Sequence, residues 1–351
     1  MLPYVTWEVT ENCNHNCIHC YNYWDDKCHN TLDSERMDEI CGFIINHNPT
    51  DVTLTGGEPF LVFENLKKYI DAFSKKGISL RINCNGSLLN DENLNYCALK
   101  NVRLMISFPS SKCTIFSSIV GNDSSYHKVI DGITAALAKK IPVIPNIVVS
   151  SLNLFDVYDT CVFLKEKFDI DDVFISRATK PINADDKFLR FQLTNDQLDY
   201  LFDTCLKIKD EMKINVRSCG TYPFCSFNSQ RIFNIFSKGC GAGKNSYVIS
   251  NSGDIRACVR DDTVYGNIFD EGFSLEKTFN KMAEWRNDET IPKDCQNCNV
   301  VSICRGGCRT SNKSLKGSLN ERDCNMRLER TPVFYDLSQR GHEYIKSKSK
   351  Q

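Results

Sequence analysis

Three features are missing from this sequence of 351 residues, and each absence excludes a class of protein. The N-terminus, Met1 to Val5, has no basic segment ahead of an apolar stretch, so it lacks the pattern of an export signal. No apolar run approaches the length of a membrane-spanning helix. The 43 basic and 44 acidic side chains leave a net charge of −1, and therefore no global field that attracts nucleic acid or an anionic membrane. We expect a cytoplasmic protein.

Cysteine, by contrast, is abundant, with 19 in the chain. Disulfides are a poor explanation in a chain without an export signal, so metal ligation is the better one. Isolated cysteines in helix-like stretches are the exception, because a free cysteine also serves as a small buried hydrophobe. We assign that role to Cys41, Cys97, Cys161 and Cys205.

Apolar strand-like runs alternate with amphipathic helical stretches from Tyr4 to about Thr179. The predicted strands are Tyr4–Thr10, Asp51–Thr55, Ser79–Asn83, Val102–Phe108, Val143–Ser150 and Asp172–Ser176. The predicted helices are Ser34–Asn46, Phe63–Lys76, Asp91–Leu99, Tyr126–Lys140, Leu154–Phe168 and Thr194–Lys213, with Asp33, Asn90 and Thr194 as candidate N-caps. Six strand–helix units predict an α/β fold with a parallel sheet, a partial (β/α)6 barrel rather than a closed barrel of eight. Ligands of such folds bind at the carboxyl ends of the strands.

After about Lys213 the periodicity weakens while glycine and cysteine concentrate, which is typical of a small domain organised by metal. We therefore predict a barrel domain at 1–213, a cysteine-rich domain at 214–330, and a C-terminal helix and tail at 331–351. Neither a solenoid repeat nor a long linker interrupts these segments.

The first cysteine cluster, Cys13, Cys17 and Cys20, directly follows the first predicted strand. Three thiolates on one short loop can hold three irons of a cubane and leave the fourth iron open. A zinc knuckle with His15 or His19 as fourth ligand is the alternative. The next strand ends in Thr55-Gly56-Gly57-Glu58-Pro59, where the glycines allow close approach of backbone to a ligand and proline suits the start of a helix.

Together, the CxxxCxxC spacing and the Gly-Gly-Glu-Pro turn resemble the radical S-adenosylmethionine (SAM) superfamily. The resemblance implies a [4Fe–4S] cluster whose open iron binds the methionyl amino and carboxylate groups of SAM, and whose electron cleaves it to a 5′-deoxyadenosyl radical. It also implies the following cofactor contacts: Tyr21, Gly56, Gly57, Glu58, Pro59, Asn85, Ser107, Lys128, Asn146 and Arg177. Three of these residues have ordinary alternatives: Asn85 as a turn residue, Ser107 as a strand-end hydroxyl, and Arg177 in a surface ion pair.

A second cysteine array lies near the C-terminus, with Cys240, Gly253 and Cys258 followed by a CX2CX5CX3C run and a last cysteine. Its spacing resembles the seven-cysteine SPASM domain, although a pair of zinc sites is the alternative. The resemblance implies two auxiliary [4Fe–4S] clusters, hence three in all. The first would be held by Cys240, Cys258 and Cys308, and the second by Cys295, Cys298, Cys304 and Cys324. Cys225 or Cys219 would complete the first, unless that site is open.

Most SPASM proteins modify a residue of a gene-encoded peptide or protein, so the resemblance implies a peptide maturase that installs a thioether or carbon–carbon cross-link or a related change. It also implies a flavodoxin- or ferredoxin-type electron donor and an anaerobic setting. The cluster motif begins at Cys13, so we expect no N-terminal leader-recognition domain and a separate protein in that role, unless the enzyme's own surfaces suffice. No catalytic acid or base stands out.

Two further functions stay open. Formylglycine-forming sulfatase maturases typically have an aspartate directly after the GX4C cysteine, where this chain has Val259; Asp261 and Asp262 are nearby and predicted to lie in a solvated turn. A metal-organised binding or scaffold protein is the third possibility, and the intact Gly-Gly-Glu-Pro turn argues against it.

Overall fold

A computed structural model describes residues 3–22, 33–182, 184–227, 229–317 and 319. Its strands are β1 (Tyr4–Thr10), β2 (Asp51–Gly56), β3 (Ser79–Cys84), β4 (Arg103–Ser107), β5 (Val143–Val149), β6 (Asp172–Arg177), β7 (Asn215–Arg217), β8 (Ser246–Ile249), β9 (Asp254–Arg256) and β10 (Gly266–Asn267). All ten belong to one sheet in the order β10-β9-β8-β1-β2-β3-β4-β5-β6-β7. Strands β1 to β7 pair in parallel and in chain order, so the predicted parallel α/β fold is confirmed.

The helices are α1 (Ser34–Asn46), α2 (Phe63–Lys75), α3 (Asp91–Leu99), α4 (Cys113–Val120), α5 (Ser125–Ala138), α6 (Val157–Phe168), α7 (Asn195–Met212), α8 (Gln230–Phe236), α9 (Leu275–Lys281), α10 (Val301–Cys304) and α11 (Arg309–Lys316). The three predicted N-caps are confirmed. The Asp33 and Asn90 side chains accept backbone hydrogen bonds from the first turns of α1 and α3. Thr194 forms a capping box with Gln197.

The core lies between the sheet and the helices that cover it. Trp7 of β1 is fully buried and makes edge contacts with Tyr69 and Phe73 of α2, with ring centroids 5.3 and 6.2 Å apart. The four isolated cysteines are also buried in this core, which confirms the role predicted for them: Cys41, Cys97, Cys161 and Cys205.

Two features of the fold differ from the sequence-based expectation. The first is α4, which was not predicted because its sequence, CTIFSSIV, is short and rich in serine and β-branched residues. The second is the extent of the sheet beyond residue 213, since β7 pairs with β6 and β8 pairs with β1. The segment that carries the second cysteine array is thereby hydrogen-bonded to the strand that leads into the first cysteine loop.

The predicted helix at 331–351 lies outside the described residues, as does Cys324. Among the helices that the structure describes, none combines the length and the apolarity that crossing a membrane requires.

Candidate functional site

The first cysteine loop, residues 11–22, follows β1 and rests on the C-terminus of α4. The amides of Asn16 and Ile18 donate to the carbonyls of Val120 and Ile119, each at 2.9 Å. Gly121 ends α4 with a φ of +64°, and a Cβ there would lie 2.8 Å from the Asn16 carbonyl oxygen. The helix missed from sequence is therefore a support of the cysteine loop.

The turn after β2 touches the cysteine loop through its backbone. The Gly57 amide donates to the Thr10 carbonyl at 2.6 Å, and the Glu58 amide donates to the Asn12 carbonyl at 2.7 Å. A Cβ on Gly57 would lie 2.0 Å from the Asn12 oxygen, and one on Gly56 would lie 2.2 Å from the Thr10 oxygen. The glycines therefore do permit a close backbone approach, and the backbone that approaches them is that of the cysteine loop.

Glu58 joins the β2 turn to the β3 turn. Its buried carboxylate accepts from the Phe60 amide at 3.0 Å through Oε1 and from the Asn85 amide at 2.6 Å through Oε2. Burial raises the pKa of Glu58 to about 7, and the two backbone hydrogen bonds oppose that shift. Pro59 starts the short 3-10 turn Pro59–Leu61, as its fixed φ favours.

Asn85 reaches back from the β3 turn to the cysteine loop. Its Nδ2 donates to Asn14 Oδ1 at 2.7 Å, while its Oδ1 accepts from the amide and the hydroxyl of Ser87. Asn14 in turn donates to Ser87 Oγ at 2.9 Å. Asn85 is therefore a turn residue whose side chain also fixes the cysteine loop, and the three turns form one hydrogen-bonded unit.

The three thiols of the loop are half-buried, and those of Cys13 and Cys20 lie near that of Cys17. Burial raises the pKa of Cys17 above its usual range, and repulsion from Cys20 and Cys13 adds to the shift. The His15 amide donates to Cys13 Sγ at 3.4 Å. A bound metal reverses such a pKa shift by favouring thiolates, so this donor set suits three irons of a cubane.

The two loop histidines, His15 and His19, are the candidate fourth ligands of the alternative zinc site. His15 is buried, and its Nε2 is hydrogen-bonded at 2.7 Å to Ser125 Oγ of α5, an arrangement that uses this nitrogen for packing rather than for a metal. Burial lowers the pKa of His15 and of His19 to about 4. Over the described residues, no three His, Cys, Asp or Glu side chains surround a common point closely enough to hold a single metal ion.

The other predicted cofactor contacts are placed as follows. The Tyr21 hydroxyl is hydrogen-bonded to Thr55 Oγ1 at 2.9 Å. Ser107 at the end of β4 lies opposite Asn146 of β5, whose Oδ1 is buried without a hydrogen-bond partner among the described residues.

Arg177 ends β6 and is buried over the Tyr222 ring, 5.2 Å from its centroid, so the surface ion pair considered for it is wrong. Lys128 is exposed on α5.

In the second array, the motif glycine makes a hairpin possible. Gly253 has a φ of +86° between β8 and β9, and it places Cys258 just after β9. The thiol of Cys240 lies near those of Cys258 and Cys308, and burial raises its pKa to about 12. These three cysteines, which the resemblance implies as ligands of one cluster, are also neighbours in the structure.

Cys304 belongs to a different neighbourhood. Burial raises its pKa to about 12, with smaller contributions from the nearby thiols of Cys225 and Cys295. The exposed Cys219 lies elsewhere, with its amide on Ser176 Oγ at 3.0 Å. Its thiol is close enough to Arg81 to oppose the lowering of that guanidinium's pKa by burial.

A chain of charges joins the two cysteine systems. Arg256 of β9 pairs with the buried Glu8 of β1 and donates at 3.1 Å to the carbonyl of Asp261. Asp261 is fully buried, with Oδ1 bound by Lys313 of α11 at 3.0 Å, so its expected place in a solvated turn is wrong. Asp262 is exposed. The burial of Asp261 depends on a lysine 52 residues away, which no local pattern reveals.

Sequence reasoning missed several residues that hold the site together: Asn14, Ser87, Ser125, Val120 and Gly121. Only Gly121-Asn122 carried a signal, because glycine followed by a polar residue is typical of a helix C-terminus.

Comparison with known proteins gives a family assignment. Residues 7–164 match the model of the Radical SAM superfamily. The chain is 24% identical to the subtilosin biosynthesis protein AlbA of Bacillus subtilis over 79% of its own length, and spans 59% of AlbA. It is 22% identical to the AdoMet-dependent heme synthase of Methanosarcina barkeri, covering 91% and 94% of the two chains. It is 23% identical to the mycofactocin maturase MftC of Mycobacterium tuberculosis, covering 87% and 77%.

Two solved structures share the fold. Native anSMEcpe with bound AdoMet superposes with a TM-score of 0.73 at 18% identity, over 92% of this chain and 93% of that one. Streptococcus suis SuiB bound to the precursor peptide SuiA superposes with a TM-score of 0.71 at 17% identity, over 93% and 76%. Residues 7–164 therefore form a radical SAM domain, and the chain has the fold of these two solved structures.

Proposed function

We propose that this protein is a radical SAM enzyme that modifies a residue of a ribosomally made peptide, installing a thioether or carbon–carbon cross-link or a related change. The observation that carries the proposal is the hydrogen-bonded unit of three turns around Cys13, Cys17 and Cys20, with the Gly-Gly-Glu-Pro turn docked against the cysteine loop. When bound there, a [4Fe–4S] cluster and SAM would supply a 5′-deoxyadenosyl radical that takes a hydrogen atom from the substrate.

The chain's own contribution is to position that chemistry. Two backbone hydrogen bonds lock the Gly57 turn onto residues 10–12, and Glu58 and Asn85 lock the β3 turn onto both. Backbone contacts of this kind leave little freedom for the three cysteines, as a preorganised metal site requires. Tyr21, Ser107 and Asn146 are candidates to contact SAM at the same edge of the sheet. The Oδ1 of Asn146, which has no hydrogen-bond partner among the described residues, can accept a hydrogen bond from a ligand.

A peptide substrate is supported by the relatives. AlbA is a bacteriocin biosynthesis protein, MftC is a maturase, and SuiB has been seen with a precursor peptide. The heme synthase relative, however, has the broader coverage of both chains. A test of the substrate class must therefore be separate from the test of SAM cleavage.

The proposal includes two auxiliary clusters in addition to the SAM-binding one. Cys240, Cys258 and Cys308 are neighbours, and Cys304 has an amide donor, Phe224, on its sulfur at 3.3 Å. Hydrogen bonds to sulfur are a feature of protein-bound iron–sulfur clusters. We also propose a cytoplasmic location, a flavodoxin- or ferredoxin-type donor, and a separate leader-recognition protein unless the enzyme's own surfaces suffice.

Release of 5′-deoxyadenosine from SAM by the anaerobically reconstituted, reduced protein tests the reaction class. We expect Cys17→Ala to abolish release, and Cys113→Ala, which removes an exposed thiol from α4, to leave it unchanged. Cys304→Ala should keep some SAM cleavage but form no product. Wild-type protein that binds zinc and releases no 5′-deoxyadenosine would make it a binding or scaffold protein instead.

Anaerobic co-expression with short peptides encoded beside the gene tests the substrate class by mass. Loss of two hydrogens without an aldehyde would indicate a cross-link, and incorporation of one solvent deuterium without other mass gain would indicate epimerisation. An aldehyde that reacts with a hydrazine probe would indicate formylglycine. The formylglycine alternative is disfavoured because Val259 occupies the expected aspartate position and the Oδ1 of Asp261 is bound by Lys313.

A further inference from the structure

The short 3-10 turn Phe224–Ser226 packs against the second cysteine array. The Phe224 amide donates to Cys304 Sγ at 3.3 Å. On the other side of the contact, Gly307 has a φ of +90°, and a Cβ there would lie 2.6 Å from Pro223 Cδ. The loop after Cys304 therefore packs closely against the turn that carries Cys225, with no room for a side chain at Gly307.

Packing against α8 and one hydrogen bond within the turn fix its conformation. Phe224 and Phe227 are each only 1% exposed, and both contact Phe233 of α8, with ring centroids 5.2 and 6.4 Å apart. The Ser226 hydroxyl closes the turn by donating to the Pro223 carbonyl at 2.6 Å. A side chain on such a turn has a defined position, which is what a metal ligand needs.

The thiols themselves separate into two neighbourhoods. The thiols of Cys225 and Cys295 lie near Cys304, against which the Phe224 amide is hydrogen-bonded, whereas those of Cys258 and Cys308 lie near Cys240. Cys219, the other cysteine considered for the first group, lies at the end of the barrel near Ser176 and Arg81.

We propose that Cys225 is a ligand of the second auxiliary cluster, together with Cys295 and Cys304, and not the missing ligand of the first. The proposal rests on the auxiliary clusters of the proposed function. With Cys298, whose amide donates to the Cys295 carbonyl at 3.0 Å, these would be the four cysteines that a [4Fe–4S] cluster takes, in place of the set that includes Cys324. The first group then has three cysteines among the described residues, Cys240, Cys258 and Cys308.

Iron content and electron paramagnetic resonance (EPR) of the reduced, anaerobically reconstituted full chain test this assignment without any turnover. With three clusters, the wild type should hold about 12 irons and Cys225→Ala about 8. The resonance lost in Cys225→Ala should be the one lost in Cys304→Ala, while Cys240→Ala should lose a different one. Cys219→Ala is the matched control, and should keep all three signals.

A conservative variant, Cys225→Ser, distinguishes the loss of a ligand from misfolding of the alanine variant. In Cys225→Ser the oxygen can replace the sulfur as a ligand, so we expect the second cluster's signal to shift while iron content stays near that of the wild type. The assignment is overturned if both Cys225 variants keep the wild-type spectrum, or if they lose the signal that Cys240→Ala loses. Release of 5′-deoxyadenosine is scored separately, so failure of the proposed function can be distinguished from failure of this ligand assignment.

Discussion

The two cysteine systems are organised in opposite ways. The first presents three cysteines within eight residues, Cys13 to Cys20, and contacts from neighbouring turns hold that single segment in place. The second draws cysteines from segments that are distant in sequence, and the β8–β9 hairpin, α10 and the Phe224–Ser226 turn bring them together. The cysteines of a short motif are thus close together in sequence, whereas those of a dispersed array are brought together only by the fold.

Gly57→Ala should be the most damaging change to the first system, because the new Cβ would lie 2.0 Å from a backbone oxygen that cannot move aside easily. We expect the SAM-cleaving cluster to be lost and 5′-deoxyadenosine release to fall at least about 100-fold, which is about 3 kcal/mol of transition-state stabilisation. Gly42→Ala, at a helical site with nothing within 4 Å, is the control and should stabilise α1 by about 1 kcal/mol. Normal release by Gly57→Ala would mean that the two turns need not touch.

Lys313→Met should weaken the chain of charged residues between the two cysteine systems, because it removes the partner of Asp261. It leaves the buried Asp261 carboxylate without its lysine, a loss of about 3–5 kcal/mol in the free energy of unfolding. Urea unfolding of the cluster-free protein measures the effect. The double variant with Asp261→Asn should recover part of the loss because the buried charge is then gone, and no recovery would place the lysine's role elsewhere.

Glu58 should make the cluster-free protein pH-dependent. Its pKa is about 7 when folded and near 4.5 in the unfolded chain, so the folded state binds the extra proton between these values. The contribution of Glu58 to the free energy of unfolding is therefore greatest below pH 4.5 and falls as the pH rises towards 7, by up to about 3 kcal/mol. Urea midpoints measured across this window should fall for the wild type, and this contribution should vanish in Glu58→Gln. An unchanged slope in the variant would contradict the assignment.

Ser125→Ala should have the smallest effect. It removes the 2.7 Å partner of His15 and leaves a buried nitrogen unsatisfied, at about 1–3 kcal/mol. We expect weaker retention of the first cluster on dilution, with the EPR signals of the second system unchanged. Ser118→Ala, at an exposed site on α4, is the control. Equal loss from both systems would show that α5 supports the whole molecule rather than the loop.

Much of the fold followed from sequence because its signals are local. Strands β1 to β6, the three N-caps and the buried isolated cysteines all depend on residues within a few positions of one another. The β7 and β8 strands were missed because each is only three or four residues long, too short for a periodic pattern. The burial of Asp261 was missed because its partner Lys313 is remote in sequence.

The sequence alone determined that Cys13, Cys17 and Cys20 share a loop after the first strand, since their spacing allows little else. It also placed the Gly-Gly-Glu-Pro turn at the neighbouring strand end. Only the tertiary structure decided what those glycines approach and that the turn carrying Cys225 lies against Cys304. The physical reason is that backbone contacts between distant segments, such as Gly57 with Thr10 or Phe224 with Cys304, leave no periodic trace in the residues that make them.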